Sequence, residues 1–164
     1  MATVTITNSE GGKKENPGSS ITADFGGASI PDGSTINGIT INLLLAGVVS
    51  SVGDIIVNVI DTQNGGSVST VNKTASTFPY SLFPTFTVET FGSSSELFGI
   101  TTFTPSSVAG GGIRVVITNN TSNTLFYEGD GNNSNIVVTF SDPEGGNIKL
   151  TTGNIKLTTG KITL

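Results

Sequence analysis

The sequence predicts an all-β fold, an antiparallel β-sandwich of the jelly-roll or Greek-key type. Three observations lead to this prediction. Short stretches alternate apolar and polar residues, turn-forming residues recur roughly every ten positions, and no long segment keeps apolar residues at helical spacing. A chain of 164 residues is long enough for one domain with a substantial core. We assign residues 1–142 to the sandwich and residues 143–164 to a short C-terminal β-repeat.

The clearest local signal is a turn followed by a long strand, in the segment IPDGSTINGITIN at residues 30–42. Pro31 fixes φ, and the pair Asp32 and Gly33 has turn chemistry, so we expect the chain to reverse there. Ile36 opens the strand. From Ile39 onward every second residue is apolar, which predicts one buried face formed by Ile39, Ile41, Leu43 and Leu45.

The remaining strands are predicted from the same alternation. They are residues 2–7, 20–25, 54–61, 68–71, 85–90, 112–118, 124–128 and 135–140. The stretch 54–61 is apolar on both faces, which predicts a central strand. The last two stretches flank the turn sequence GDGNNS and are predicted to form a hairpin. Loops or turns are expected at residues 8–20, 63–66, 77–84 and 119–123.

Phenylalanine is the main aromatic residue, with nine copies against two Tyr and no Trp. We expect most of the rings to fill the core, in particular Phe83, Phe86, Phe91, Phe98 and Phe103. A stacking platform for sugars more often uses Trp and Tyr, so this composition counts against one.

Composition also argues against an enzyme. The chain has no His and no Cys, which excludes Ser–His and Cys–His nucleophile pairs and thiolate or imidazole metal sites. The acids Asp24, Asp32, Asp54 and Asp61 are scattered over strand ends and loops, which is not the pattern of a paired-carboxylate hydrolase. We therefore expect no catalytic residue and no cofactor.

Two positions merit separate treatment. The segment 128–133 places Glu128, Asp130 and Asn132 at alternate positions, which suits a Ca²⁺ loop, although the same residues make a good hairpin turn without metal.

Arg114 is the only arginine. It is interpreted as a partner of a strand-face carboxylate such as Glu89, with an anchor at a subunit interface as the alternative.

The C-terminus carries a seven-residue repeat, GNIKLTT, which occurs twice and then degenerates to GKITL. Because seven is odd, successive units on one straight strand would point their apolar residues to opposite faces. The chain must therefore turn at each Thr-Thr-Gly, either as a small meander or around a threefold axis shared by three copies; an extended arm on a neighbour is a third option. We favour the trimer. Its interface residues would be Ile148, Leu150, Ile155, Leu157, Ile162 and Leu164.

Charge and hydropathy limit the partners. The net charge is −5 and the isoelectric point is about 4.4, which disfavours binding to nucleic acid by phosphate neutralisation. The N-terminus lacks the basic and apolar regions of a signal peptide, so we expect synthesis in the cytoplasm without a leader. No apolar run has the length of about 20 residues that a membrane span needs.

Five short motifs follow one another in the body of the chain. They are Ile30-Pro31-Asp32-Gly33, Ile36-Asn37-Gly38-Ile39, Glu96-Leu97-Phe98-Gly99, Phe103-Thr104-Pro105 and Gly112-Ile113-Arg114-Val115. In this order and spacing they resemble a β-sandwich domain of tailed-bacteriophage virion proteins, of the capsid decoration or fibre type. The chain has Phe98 and Phe103 where the pattern prefers Trp. The C-terminal repeats resemble short β-repeats of phage fibres and appendages.

The resemblance implies a non-enzymatic structural role on the exterior of a virion. The expected function is that of a capsid decoration (cement) protein that bridges subunits of the major capsid protein and stabilises the head. Partners would be the major capsid protein or other virion proteins, and further copies of the chain, with a homotrimer favoured. The alternatives are a tail or head fibre subunit and a carbohydrate-binding adhesin module for host attachment.

Overall fold

The computed structural model describes residues 1–8, 10–47, 53–69, 73–75 (backbone only), 85–129 and 133–143. They form two antiparallel sheets packed face to face, which confirms the predicted β-sandwich. The elements are β1 (Ala2–Thr7), β2 (Lys13–Glu15), β3 (Ser20–Asp24), β4 (Thr35–Ala46), β5 (Gly53–Asp61), β6 (Ser67–Val68), β7 (Lys73–Ala75), β8 (Thr87–Ser93), α1 (Pro105–Ala109), β9 (Ile113–Thr121), β10 (Leu125–Glu128) and β11 (Asn135–Ser141).

Three pairs of short strands act as single, interrupted strands. β8 pairs with one edge of β4, so β10 and β11 must both lie along the other edge. There, β11 is opposite residues 35–42 of β4, and β10 is opposite residues 44–46. β1 and β2 continue one another in the same way beside β11 and β10. β6 and β7 both lie on the edge of β5 that is not occupied by β9. We call each of these pairs a composite strand.

Counted in this way, the described chain has eight strands whose pairing is nested. The first pairs with the last, the second (β3) with the seventh (β9), the third (β4) with the sixth (β8), and the fourth (β5) with the fifth. Sheet A therefore contains β1/β2, β10/β11, β4 and β8, and sheet B contains β3, β9, β5 and β6/β7. This nesting over two four-stranded sheets is the jelly-roll arrangement.

The predicted hairpin between β10 and β11 is wrong. The two segments run in the same direction along β4 and do not pair with each other. Ser134 closes the gap between them, because its Oγ accepts a hydrogen bond from the Leu44 N–H at 3.0 Å and donates one to the Glu128 carbonyl. The Ser134 carbonyl accepts from Asn8 N at 3.2 Å, so the interruptions of both composite strands of sheet A lie side by side.

The core lies between the sheets, and the strand β4 supplies its centre. The predicted face is confirmed, since Ile39, Ile41, Leu43 and Leu45 are completely buried. A β-bulge places Ile36 opposite Phe140 and Gly38 opposite Thr139, so that Asn37 is an extra residue. The bulge lets Ile36 face the core as well, although it lies three residues before Ile39.

Most other predicted strands are confirmed, with changes at their ends. β5 is paired along both edges, as predicted for a central strand, but its outward-facing residues Ile56 and Ile60 are only half-buried. The predicted loop 8–20 contains the short strand β2. The predicted Asn-rich turn at 119–123 begins inside β9. Asn119 is completely buried there, because its amide donates to the carbonyls of Glu15 and Asn123.

The motifs quoted for the virion resemblance lie mostly at corners of the chain. Gly33 has a φ of 81° in the turn before β4, and Thr104 caps α1 ahead of Pro105. Phe98 has a φ of 54° and is fully buried, and its N–H donates to the Glu96 carboxylate at 2.8 Å. The residues 76–84, with Phe83, and the residues 144–164 lie outside the described part of the chain. Among the described residues, no helix is long and apolar enough to cross a membrane.

Candidate interaction surfaces

The outer face of sheet B carries a row of aliphatic side chains, which we call the aliphatic face. It consists of Ile56 and Ile60 on β5, Val116 on β9 and Val68 on β6. The first three are half-buried, and Val68 is 56% exposed. The ladders place Val68 beside Ile60 and Ile60 beside Arg114, and they place Asn58, which lies between Ile56 and Ile60, beside Val116. The aliphatic side chains are therefore interrupted by an amide and bordered by a charge. Apolar side chains with a polar rim are compatible with a surface that contacts another protein.

Arg114 borders the aliphatic face and pairs with a different carboxylate from the one predicted. Its Nε donates to Asp24 on the neighbouring strand β3, and the two side chains are 47% and 54% exposed. Glu89 lies on β8 in the other sheet, so the predicted pairing with it is wrong. An exposed ion pair adds little to stability. The guanidinium therefore remains accessible to a partner at the rim of the aliphatic face.

The outer face of sheet A carries a pocket, which we call the aromatic pocket. Its volume is about 360 Å³, and it is lined by Gly12, Lys13, Lys14, Phe86, Phe126, Tyr127 and Glu128. Phe126 lies between Lys14 and Ala46 in the ladder, and Phe86 comes one residue before Thr87, which pairs with Leu45. The two rings thus flank the small residue Ala46. Phe86 was predicted to fill the core, but it is half-buried on the outer face.

Lys13 ties the two sheets together at one end of this pocket. Its ammonium donates to the Glu10 carboxylate and to the carbonyl of Thr22 in sheet B, both at 2.8 Å. Burial alone would raise the pKa of Glu10, but the hydrogen bond and charge of Lys13, together with hydrogen bonds from Asn8 and the Asp24 backbone, bring that pKa below its ordinary value. These hydrogen bonds of Lys13 help to hold β2 in place, since β2 has only three residues, all of which pair with β10.

The most deeply buried acid is Asp61, and its surroundings indicate a structural role. It is completely buried and accepts hydrogen bonds from Gln63 N, Asn64 Nδ2, Thr102 Oγ1 and Ser107 Oγ, at 2.7 to 3.3 Å. These donors join the end of β5 to the turn after it, to the segment before α1 and to α1 itself. Sequence reasoning missed this cluster because its members are far apart in the chain.

The other acids considered in the sequence do not come together. Asp24 and Asp54 lie on β3 and β5, and Asp32 lies in the turn before β4. Within the described residues, no three or more Asp, Glu, His or Cys side chains are grouped so as to hold a metal ion. Asp130 and Asn132 of the suggested Ca²⁺ loop are outside the described ranges, as are the six aliphatic residues of the C-terminal repeat.

Comparisons with known proteins add little to this description. No protein-family model matches the sequence. No curated protein matches it either. Among solved structures, the chain is similar to one in the structure of infectious bursal disease virus Gt strain, with a TM-score of 0.32 and 13% identity. The alignment covers 88% of this chain and 37% of that one, so the chain spans well under half of its length. A similarity with this TM-score and identity does not indicate a function.

Proposed function

We propose that the chain is a non-enzymatic structural protein on the exterior of a virion, and more specifically a capsid decoration protein. The observation that supports this proposal most is the aliphatic face, a group of four partly exposed apolar side chains on the outer face of sheet B. Burying such a group against another protein releases about 25 cal/mol per Å² of apolar surface. A protein that works in this way bridges neighbouring subunits of the major capsid protein and needs no turnover.

The fold is compatible with this role, although fold alone does not determine function. Jelly rolls occur in viral capsid proteins and in lectins. The quoted motifs, which resemble a tailed-phage virion domain, place their residues at corners that shape the jelly roll, among them Gly33 and Phe98. The role proposed for them is therefore structural.

The C-terminal repeat is part of the proposal as the element that joins copies of the chain. Six aliphatic side chains in the 22 residues from 143 to 164 are too few to form a core of their own. Around a threefold axis they would be buried together, which predicts a homotrimer. Replacing Leu157 with Asp should then convert the trimer to monomers in analytical ultracentrifugation, whereas Thr158→Asp, on the polar side, should leave it intact. A monomeric wild-type protein would refute the trimer.

The decoration role is tested with capsids that lack the protein. Addition of the purified wild-type chain should raise the temperature at which these capsids release their DNA. The variant Val68→Asp places a charge in the aliphatic face and should fail to restore heat resistance. The control Val88→Asp changes a residue of similar exposure, 46%, on the outer face of the other sheet and should restore it. Unchanged heat resistance on addition of the wild type would reject the decoration role.

The position of the chain on the particle separates the decoration role from its nearest alternative. Electron microscopy of particles labelled through an antibody to the chain should show the label on the head. Label confined to the tail would replace the decoration role with that of a fibre subunit.

A further inference from the structure

We propose that the aromatic pocket binds a neutral carbohydrate. This inference is independent of the decoration role, because the pocket lies on the outer face of sheet A and the aliphatic face belongs to sheet B. The pocket combines two half-buried phenyl rings with the charged side chains of Lys13, Lys14 and Glu128. The ammonium of Lys13 is already bonded to the Glu10 carboxylate and the Thr22 carbonyl, which leaves Lys14 and Glu128 as the charged groups for a ligand.

The rings provide the surface that a sugar would contact. Phe126 pairs with Ala46 of β4, and Phe86 comes one residue before Thr87, which pairs with Leu45, so the two residues flank β4 on its outer face. Both side chains are half-buried and line the pocket. The face of an aromatic ring is electron-rich and attracts electropositive C–H groups, which line one side of a pyranose. Neighbouring strands are about 4.8 Å apart, so the backbone positions of the two residues are about 10 Å apart.

The charged groups indicate which class of ligand fits. Lys14 and Glu128 carry opposite charges, and an ion of either sign would meet one attractive and one repulsive group. A neutral ligand with many hydroxyls can instead accept a hydrogen bond from Lys14 and donate one to Glu128, and both bonds are charge-assisted. An apolar peptide side chain would use the rings but leave both charged groups without a function.

Two further features limit the size of the ligand. The volume of about 360 Å³ lies near the lower end of the range of about 300–1,000 Å³ for ligand pockets, which suits one or two sugar rings. Gly12 lies on the rim, and a Cβ at this position would be 3.1 Å from a Glu128 carboxylate oxygen. Glycine thus lets the Glu128 carboxylate lie close to the backbone at the rim of the pocket.

The test uses the full chain and a panel of neutral sugars: glucose, galactose, N-acetylglucosamine and their β-linked disaccharides. Binding is measured by saturation-transfer NMR and by titration. We expect at least one sugar to bind with a Kd of about 1–10 mM, as usual for a ligand of about 12 heavy atoms with modest contacts. Phe126→Leu should weaken binding about 3- to 10-fold through loss of the ring face. Glu128→Gln should also weaken it, because the acceptor loses its charge.

The control variants change residues on the opposite sheet. Val68→Ala removes exposed apolar surface and Asp54→Asn removes an acid, and both should bind the sugar as the wild type does. Circular dichroism of each variant checks that the fold is retained. The proposal is overturned if no sugar of the panel binds below 50 mM, a concentration roughly tenfold above the expected Kd. It is also overturned if Phe126→Leu and Glu128→Gln bind as tightly as the wild type.

Discussion

Replacing Gly92 with alanine tests how closely the end of β8 packs against β4 and Phe98. Gly92 has a φ of 77°, a conformation that costs an L-residue about 1–2 kcal/mol. A Cβ at this position would overlap the carbonyl oxygen of Ile39 and lie 2.8 Å from the ring of Phe98, which is fully buried. Overpacking of this kind costs a further 1–3 kcal/mol, roughly. We therefore expect Gly92→Ala to lower the free energy of unfolding by about 2–5 kcal/mol.

Gly65 offers a matched control in the turn after β5. Its φ is 75°, almost the same as that of Gly92, but a Cβ there would have no atom within 4 Å. Gly65→Ala should therefore cost only the conformational term, about 1–2 kcal/mol. The difference between the two variants isolates the crowding at Gly92.

The assay is equilibrium unfolding in urea followed by circular dichroism. With a slope of about 1–3 kcal/mol per M, a difference of 2 kcal/mol separates the two midpoints by about 1 M. Equal midpoints would refute the reasoning, since both variants would then carry the backbone term alone. A second check is the combination of Gly92→Ala with Phe98→Leu, whose costs should be less than additive because the smaller side chain relieves part of the overlap.

Three other predictions concern buried polar groups and one titrating acid. Ser134→Ala leaves the Leu44 N–H and the Glu128 carbonyl without their partner and should cost about 1–3 kcal/mol in urea unfolding, whereas the exposed control Ser94→Ala should cost less than about 0.5 kcal/mol. Asp61→Asn should lower stability by about 1–3 kcal/mol, because three donors converge on the Oδ2 atom that becomes an amide; an unchanged melting temperature would contradict this. Burial raises the pKa of Glu89, so the folded state binds the proton of this carboxyl more tightly than the unfolded state does. The contribution of Glu89 to stability therefore falls as the pH rises from the pKa of the unfolded state through that of the folded state. Glu89→Gln should therefore melt at a higher temperature than the wild type at pH 7, and the gap should close near pH 4.

The parts of the fold that sequence predicts well are those set by local patterning. Alternation located β1, β3, β4 and β11, because one face of each of these strands is buried and the other is polar. The turn before β4 followed from the properties of Pro31 and Gly33. Each of these predictions depends only on residues that are close together in the chain.

The wrong predictions depend on contacts between distant residues. GDGNNS has the composition of a hairpin turn, but β4 is long enough to pair with both β10 and β11, which lie one after the other along the same edge of β4. Asn119 has a turn-forming side chain, yet it is buried in β9 because Glu15 and Asn123 offer carbonyls to its amide. Local patterning can show Asn123, four residues away, but not Glu15, which is 104 residues away.

The candidate surfaces were predictable only in part. Arg114 was singled out by being the only arginine, and its partner Asp24 became evident only from the pairing of β3 with β9. Phe86 and Phe126 have the same residue type as the rings of the core. Their outward direction follows from the register with β4, in which Ala46 lies beside Phe126.

The nested pairing of the strands has a consequence for how the chain folds. The innermost pair, β5 with β6, closes a short loop, whereas the outermost pair joins residues 2–7 to residues 135–140. Closing the longer loop costs more chain entropy, and a topology with such high contact order folds slowly, in about milliseconds to seconds. We expect the nucleus to form around β5 and β6 and the two ends of the chain to join last. Substitutions in β1 should accordingly accelerate unfolding and leave the refolding rate almost unchanged.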